Sequence, residues 1–192
     1  MQMKKQPPAQ LETLNDLLQH AECYAESSML SDRGAVPLSF MVLSPEGVFM
    51  HATNKSDTPH QKNFFKTAAT VAAVAYKAIA VAVIAESWVA EEDNCESSDL
   101  RKSPNSKEVV MIIGQSRRAI ITRFLFINRD SSGKFTGFGP STLPDMDGAI
   151  SGRFSHLMPA RETTEEDSLA AFRMLQSVGI KIQRPGSAPQ LN

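Results

Sequence analysis

Apolar positions along this chain follow two different periods, and the switches between them mark out the elements. From Pro8 to about Leu30, Leu11, Leu14, Leu18, Ala21 and Ala25 recur at helical spacing, while Glu12, Asp16, Gln19, Glu22 and Glu26 fall largely elsewhere. That pattern predicts an amphipathic helix with one face on a core. Asp32-Arg33-Gly34 is a turn signal that ends it. Two short β-prone runs follow, VPLSFMVLS and VFMHAT, joined by Pro45-Glu46-Gly47, which predicts a hairpin. Ser56-Asp57-Thr58-Pro59 then opens a second helix. Asp57 or Thr58 is its cap, and Pro59 lies in the first turn, where its missing N–H leaves no bond unmade. Up to about Lys77 this helix is dense in alanine, with Phe64, Phe65, Val71 and Tyr76. Small residues around most of its circumference predict a helix packed closely on a sheet.

Three strand-like runs come next: Ile79 to Val89, Glu108 to Ser116 and Arg118 to Asn128. Between the first two lies a polar excursion of 17 residues, Glu91 to Lys107, without periodicity. Gln115-Ser116-Arg117 is short enough to join the second and third as a hairpin, and Arg129 to Gly133 turns the chain again into Lys134 to Phe138. These connections predict an antiparallel meander. Beyond Gly139 the chain is irregular, with one helical turn expected over Gly152 to Met158. Thr163-Thr164-Glu165-Glu166 matches a capping box ahead of Leu169, Phe172, Leu175 and Val178, so a last amphipathic helix is expected to run to a cap at Gly179. The expected fold is α+β: an antiparallel sheet of about five strands, built from a hairpin, a central helix and a three-stranded meander, covered by helices. Residues 1–7 are read as a flexible N-terminus, 8–182 as one domain and 183–192 as a disordered tail.

The order of elements resembles that of profilin-like and roadblock-like folds, which implies a fold and not a function. Locally, Glu86-Ser87-Trp88, a polar loop with Ser and Pro, and then Lys107-Glu108-Val109-Val110 resemble a group of uncharacterised bacterial and phage proteins with an E-x-W and a basic-Glu-Val-Val pattern. The likeness covers about 50 residues and implies a bacterial or mobile-element origin, with no activity attached.

Charge narrows the classes of partner. The 192 residues carry 20 Lys plus Arg against 21 Asp plus Glu, a formal net charge of −1, so no global field draws the chain to a phosphate backbone. A local patch would have to do so. Arg117, Arg118, Arg123 and Arg129 gather basic charge on and beside one expected hairpin, and Lys134 with Phe135, Phe138, Phe154 and Arg153 adds the aromatic and basic mixture that suits single-stranded nucleic acid. Its plainer meaning is a solvated hairpin with core aromatics.

The two cysteines, Cys23 and Cys95, belong to no CxxC or Cys/His spacing, so no disulfide framework or zinc module is read. MQMKKQPPAQ lacks the apolar core of a secretory signal. The apolar stretch Thr67 to Val89 is long enough to span a bilayer, yet Lys77 and the many alanines fit a helix running into a strand. The expected setting is therefore cytoplasmic, without membrane contact.

Candidate chemistry centres on Glu86. In strand alternation it shares a face with Ala82, Ile84 and Trp88, where an ionised carboxylate requires a partner. Arg123, among Ala119, Ile121, Leu125 and Ile127, poses the same problem. An ion pair between them is one resolution; a polar pocket floored by Glu86 and Arg123 and walled by Trp88 is the other. His51 is the remaining catalytic candidate, and it flanks, with His60, the loop before the central helix. No HxH or HExxH spacing, GxSxG or GxxxxGK[ST] occurs, and Asp145-Met146-Asp147-Gly148 opens like a calcium loop without the Glu that closes one. No metal or cofactor is expected.

The leading expectation is a non-enzymatic binding or regulatory domain working through protein contacts, possible as a homodimer because a meander has an edge strand. Trp88 beside the polar loop is its first anchor. The alternative is a small hydrolase around Glu86, Trp88, Arg123 and His51. The third is single-stranded nucleic-acid binding through Arg117, Arg118, Arg129 and Lys134.

Overall fold

A computed structural model describes residues 11–53, 58–90, 106–139, 146–147 and 154–180. The expected terminal segments, most of the polar excursion and Cys95 lie outside them. Within the described residues the chain is α+β, in the order α1 (Leu14–Met29), β1 (Leu38–Ser44), β2 (Gly47–Thr53), α2 (Pro59–Ala75), β3 (Ala80–Ala90), β4 (Ser106–Ser116), β5 (Ile120–Arg129), β6 (Phe135–Gly139), β7 (Met146–Asp147) and α3 (Glu165–Ser177). The sheet is antiparallel, with the order β2-β1-β3-β4-β5-β6, and the two-residue β7 also pairs with β5.

The sheet forms the middle of three layers. Leu17, Leu18, Ala21, Ala25 and Met29 of α1 cluster with Met41, Leu43, Ala82, Ile84, Val110 and Ile112 on one face. Phe65, Ala68, Ala69, Ala72 and Ala73 of α2 and Leu175 of α3 cluster with Phe40, Val42, Val81, Val83 and Ile113 on the other. This explains why five of the seven residues of β1 are apolar: all seven are buried, alternate side chains entering alternate cores. Each fully buried Leu, Ile or Phe contributes about 1.5–3 kcal/mol relative to exposure. The alanines of α2 lose little conformational entropy on burial and let the helix approach the sheet closely.

All three helices among the described residues begin in capping boxes. Thr13 with Asp16, Thr58 with Gln61 and Thr164 with Asp167 exchange side-chain and backbone bonds, satisfying N–H groups that have no partner inside the helix. Pro59 stands at the start of α2 as the spacing requires. In α3 the box is one residue later than Thr163 and Glu166. Asp167 is the better reciprocal acceptor because it also binds Arg161, at 2.8 Å.

The ends of α2 and α3 share one geometry with different residues. Gly179 (φ 71°) and Ile180 donate to Gln176 and Leu175, closing α3. Lys77 (φ 48°) and Ala78 donate to Val74 and Ala73, closing α2 in the same way with a lysine where glycine is usual. The long apolar stretch is therefore a helix, a tight reversal and a strand, and no helix among the described residues is long and apolar enough to cross a membrane.

Two expectations are corrected. Ser106 and Lys107 belong to β4 and not to the polar excursion. Residues 154–158 form no helical turn, because Gln115 holds them as an irregular segment on the sheet: its Nε2 donates to the Phe154 carbonyl at 2.6 Å, and its Oε1 accepts from the Leu157 N–H at 2.8 Å.

Candidate functional site

The sheet divides the residues nominated for catalysis. His51 lies on the α2 face, its ring 5.4 Å from Phe40 and 6.4 Å from Phe65. Glu86 lies on the α1 face, where Oε1 accepts from the Val36 N–H at 2.7 Å. Arg123 is also on the α1 face, with Nη1 donating to Glu22 of α1 at 2.7 Å. His51 on β2 and Glu86 on β3 are thus on opposite sides of the sheet, and β1 lies between their strands. Glu22 is the partner of Arg123 that spacing did not reveal, since it is 101 residues away.

Trp88 pairs across strands with Glu108. Glu108 in turn is gripped by Arg129, whose Nε and Nη2 donate to its two carboxylate oxygens at 2.8 and 2.9 Å. These bonds hold the guanidinium above its ordinary pKa against the opposing effect of burial, and the charges of Glu108 and Glu86 add to the rise. The loop that Trp88 was expected to flank, apart from residues 106–107, lies outside the described residues. What is described at its base is the half-buried Glu108, closed by a forked arginine, with Glu86 exposed on the same face of the sheet.

The four basic residues assigned to nucleic acid do not form one surface. Arg117 and Arg118 occupy the turn between β4 and β5, while Arg129 ends β5 and Lys134 follows in the turn to β6, roughly 30 Å away along a strand of this length. Phe135 is buried, with Phe138 edge-on to it at 5.0 Å, and Phe154 is buried on the α2 face. These rings serve the core.

Two clefts remain. One, of about 260 Å³, lies between β2 and the first turns of α2; it is lined chiefly by His51, His60, Phe64 and Phe65. It joins the two histidines that flank the loop before α2, with a mainly apolar wall. Among the described residues no three His, Cys, Asp or Glu side chains converge as a metal site.

The other cleft, of about 630 Å³, lies at the β4–β5 turn against residues 156–160. Arg117, Arg118 and His156 bring positive or protonatable groups to it, and Ile120, Met158 and Pro159 bring apolar ones. Sequence reading nominated the two arginines but missed Gln115 and His156. A lone glutamine at the end of the apolar run EVVMIIG was the available signal, because a buried amide requires partners for both its ends.

No family model, curated protein or solved structure matches the chain.

Proposed function

We propose that this protein is a non-enzymatic binding domain that works through protein contacts, pairing through β2 with a second copy of itself. The undefended edge of β2 carries this reading. Among the described residues no strand pairs with the outer edge of β2. Its seven residues, GVFMHAT, include no charged side chain and no proline, and its register with β1 runs without a bulge. Edge strands that are not used for association are normally blunted by one of those devices. Antiparallel pairing of two copies about Met50 would place Phe49 opposite His51 and bring no like charges together, as a two-fold interface requires. Phe64, 49% exposed beside the adjoining cleft, offers the partner an apolar anchor. The separation of His51 from Glu86 and Arg123 further favours binding over hydrolysis.

Sedimentation equilibrium tests the reading. The wild-type chain is expected to dimerise at micromolar concentration, and Ala52→Lys, at an exposed β2 position, is expected to be a folded monomer. A wild-type chain that stays monomeric, or a dimer indifferent to Ala52→Lys, would refute it. Binding of a strand-forming peptide by a monomeric wild type would transfer the edge to a different partner.

A further inference from the structure

We infer that the cleft at the β4–β5 turn is a binding site for a small organic phosphate, held by Arg118 and His156. The cleft's volume of about 630 Å³ falls within the range of small-molecule sites. Its lining divides in the manner such a ligand needs, with Arg117, Arg118 and His156 at the polar part and Ile120, Met158 and Pro159 for the ligand's body. Arg118 is exposed and makes no ion pair among the described residues. Arg117 has only a long 3.3 Å contact to Glu162, whose side chain is 93% exposed, so water screens the pair and leaves the arginine's charge available. Two arginines and a histidine form a donor set suited to phosphoryl oxygens.

Backbone strain supplies the second observation. Among the described residues only Lys77 and His156 have positive φ without being glycine. Lys77 ends a helix, which accounts for its conformation. His156 (φ 60°) caps no helix and is exposed. Its conformation is enforced from both sides, since the buried Gln115 amide binds the Phe154 carbonyl and the Leu157 N–H. A left-handed histidine is unfavourable and persists only where its surroundings over-determine it. Here the enforced geometry holds His156 in the lining of the same cleft as the arginine turn.

The test is calorimetric titration of the full chain with a nucleoside monophosphate, a sugar phosphate, the parent nucleoside and inorganic phosphate. At least one phosphomonoester is expected to bind, and the parent nucleoside and inorganic phosphate are each expected to bind at least ten-fold more weakly. Arg118→Gln is expected to weaken binding ten-fold or more with the fold intact. His156→Gly should do the same while melting no lower than wild type, since glycine relieves the strain. Equal binding of inorganic phosphate would overturn the organic part of the assignment. No binding by either phosphomonoester, or binding unchanged in both variants, would overturn the site.

Discussion

Leu18 of α1 fills the space that any side chain at position 114 of β4 would need. A Cβ built on Gly114 would lie 2.7 Å from Leu18 Cδ2, 3.1 Å from Leu18 Cγ and 2.9 Å from Leu14 Cδ1, all well inside ordinary contact. Leu18 is fully buried, so it has little freedom to withdraw. Gly114→Ala is expected to destabilise the chain by about 1–3 kcal/mol, the usual range for overpacking. Leu18→Ala alone should cost about 2–5 kcal/mol through the cavity it leaves. The double change should cost clearly less than the sum, because each substitution makes room for the other. Additive losses in urea unfolding would show that α1 is not wedged on Gly114.

Lys77 holds the glycine position at the end of α2. Its φ of 48° is one that residues with a Cβ adopt at a cost, and its ion pair with Glu165 involves a carboxylate that is 89% exposed, worth little. Lys77→Gly is expected to stabilise the chain by about 0.5–1 kcal/mol, after allowance for glycine's freer unfolded state. Lys77→Ala should be close to neutral. If thermal unfolding shows glycine to be the worse of the two, the lysine side chain contributes more than its exposure implies.

Lys77 also shows what the chain disclosed and what it hid. The hairpin through Pro45-Glu46-Gly47, the Thr58-Pro59 helix start and the meander all formed as local chemistry dictated, because turn residues and strand periods act over a few positions. The end of α2 was legible only approximately, since lysine occupies the position by which glycine announces a stop. Long-range partners were illegible for a different reason. Arg123 with Glu22, and Gln115 with Phe154 and Leu157, join residues 39 to 101 positions apart, and nothing local in either member specifies the other. The helix α3 lies between these cases: its apolar period was plain, yet Leu169 and Val178 are 53% and 46% exposed and only Leu175 is buried. Periodicity marks an apolar face but not how much of it the fold covers.

Acid should loosen the helix starts. Asp16 is held below its ordinary pKa of 3.8 chiefly by the Thr13 hydroxyl, with the Glu12 and Thr13 N–H groups adding to it. Asp167 is held below the same value chiefly by the Thr164 N–H, then by the Thr164 side chain and Arg161. When pH falls, the unfolded chain takes up these protons first, so proton binding favours unfolding. The stabilisation from both groups is complete above the ordinary value of 3.8 and is lost as pH falls from there through the depressed native values. The melting temperature of the wild type should therefore drop below about pH 4, and Asp16→Asn with Asp167→Asn should flatten that drop while lowering stability at neutral pH. An unchanged acid slope in the double variant would assign the loss to other carboxylates.

The forked bond between Arg129 and Glu108 should be visible from Trp88. The chain has one tryptophan, and it is the cross-strand neighbour of Glu108. Glu108 and Arg129 side chains are 22% and 29% exposed, so water screens them only in part, and their two parallel bonds fix both geometries. Arg129→Lys keeps the charge but cannot reproduce the fork. It is expected to cost about 1 kcal/mol, near the top of the range for partly exposed pairs, and to shift Trp88 emission as the Glu108 carboxylate loses its fixed position. Arg129→Met leaves Glu108 without that cation and should cost more than the lysine change. Added salt should narrow the difference between wild type and Arg129→Met, because screening weakens the pair in the wild type alone. Equal stability of all three chains, with Trp88 emission unmoved, would reduce the fork to a contact without energetic weight.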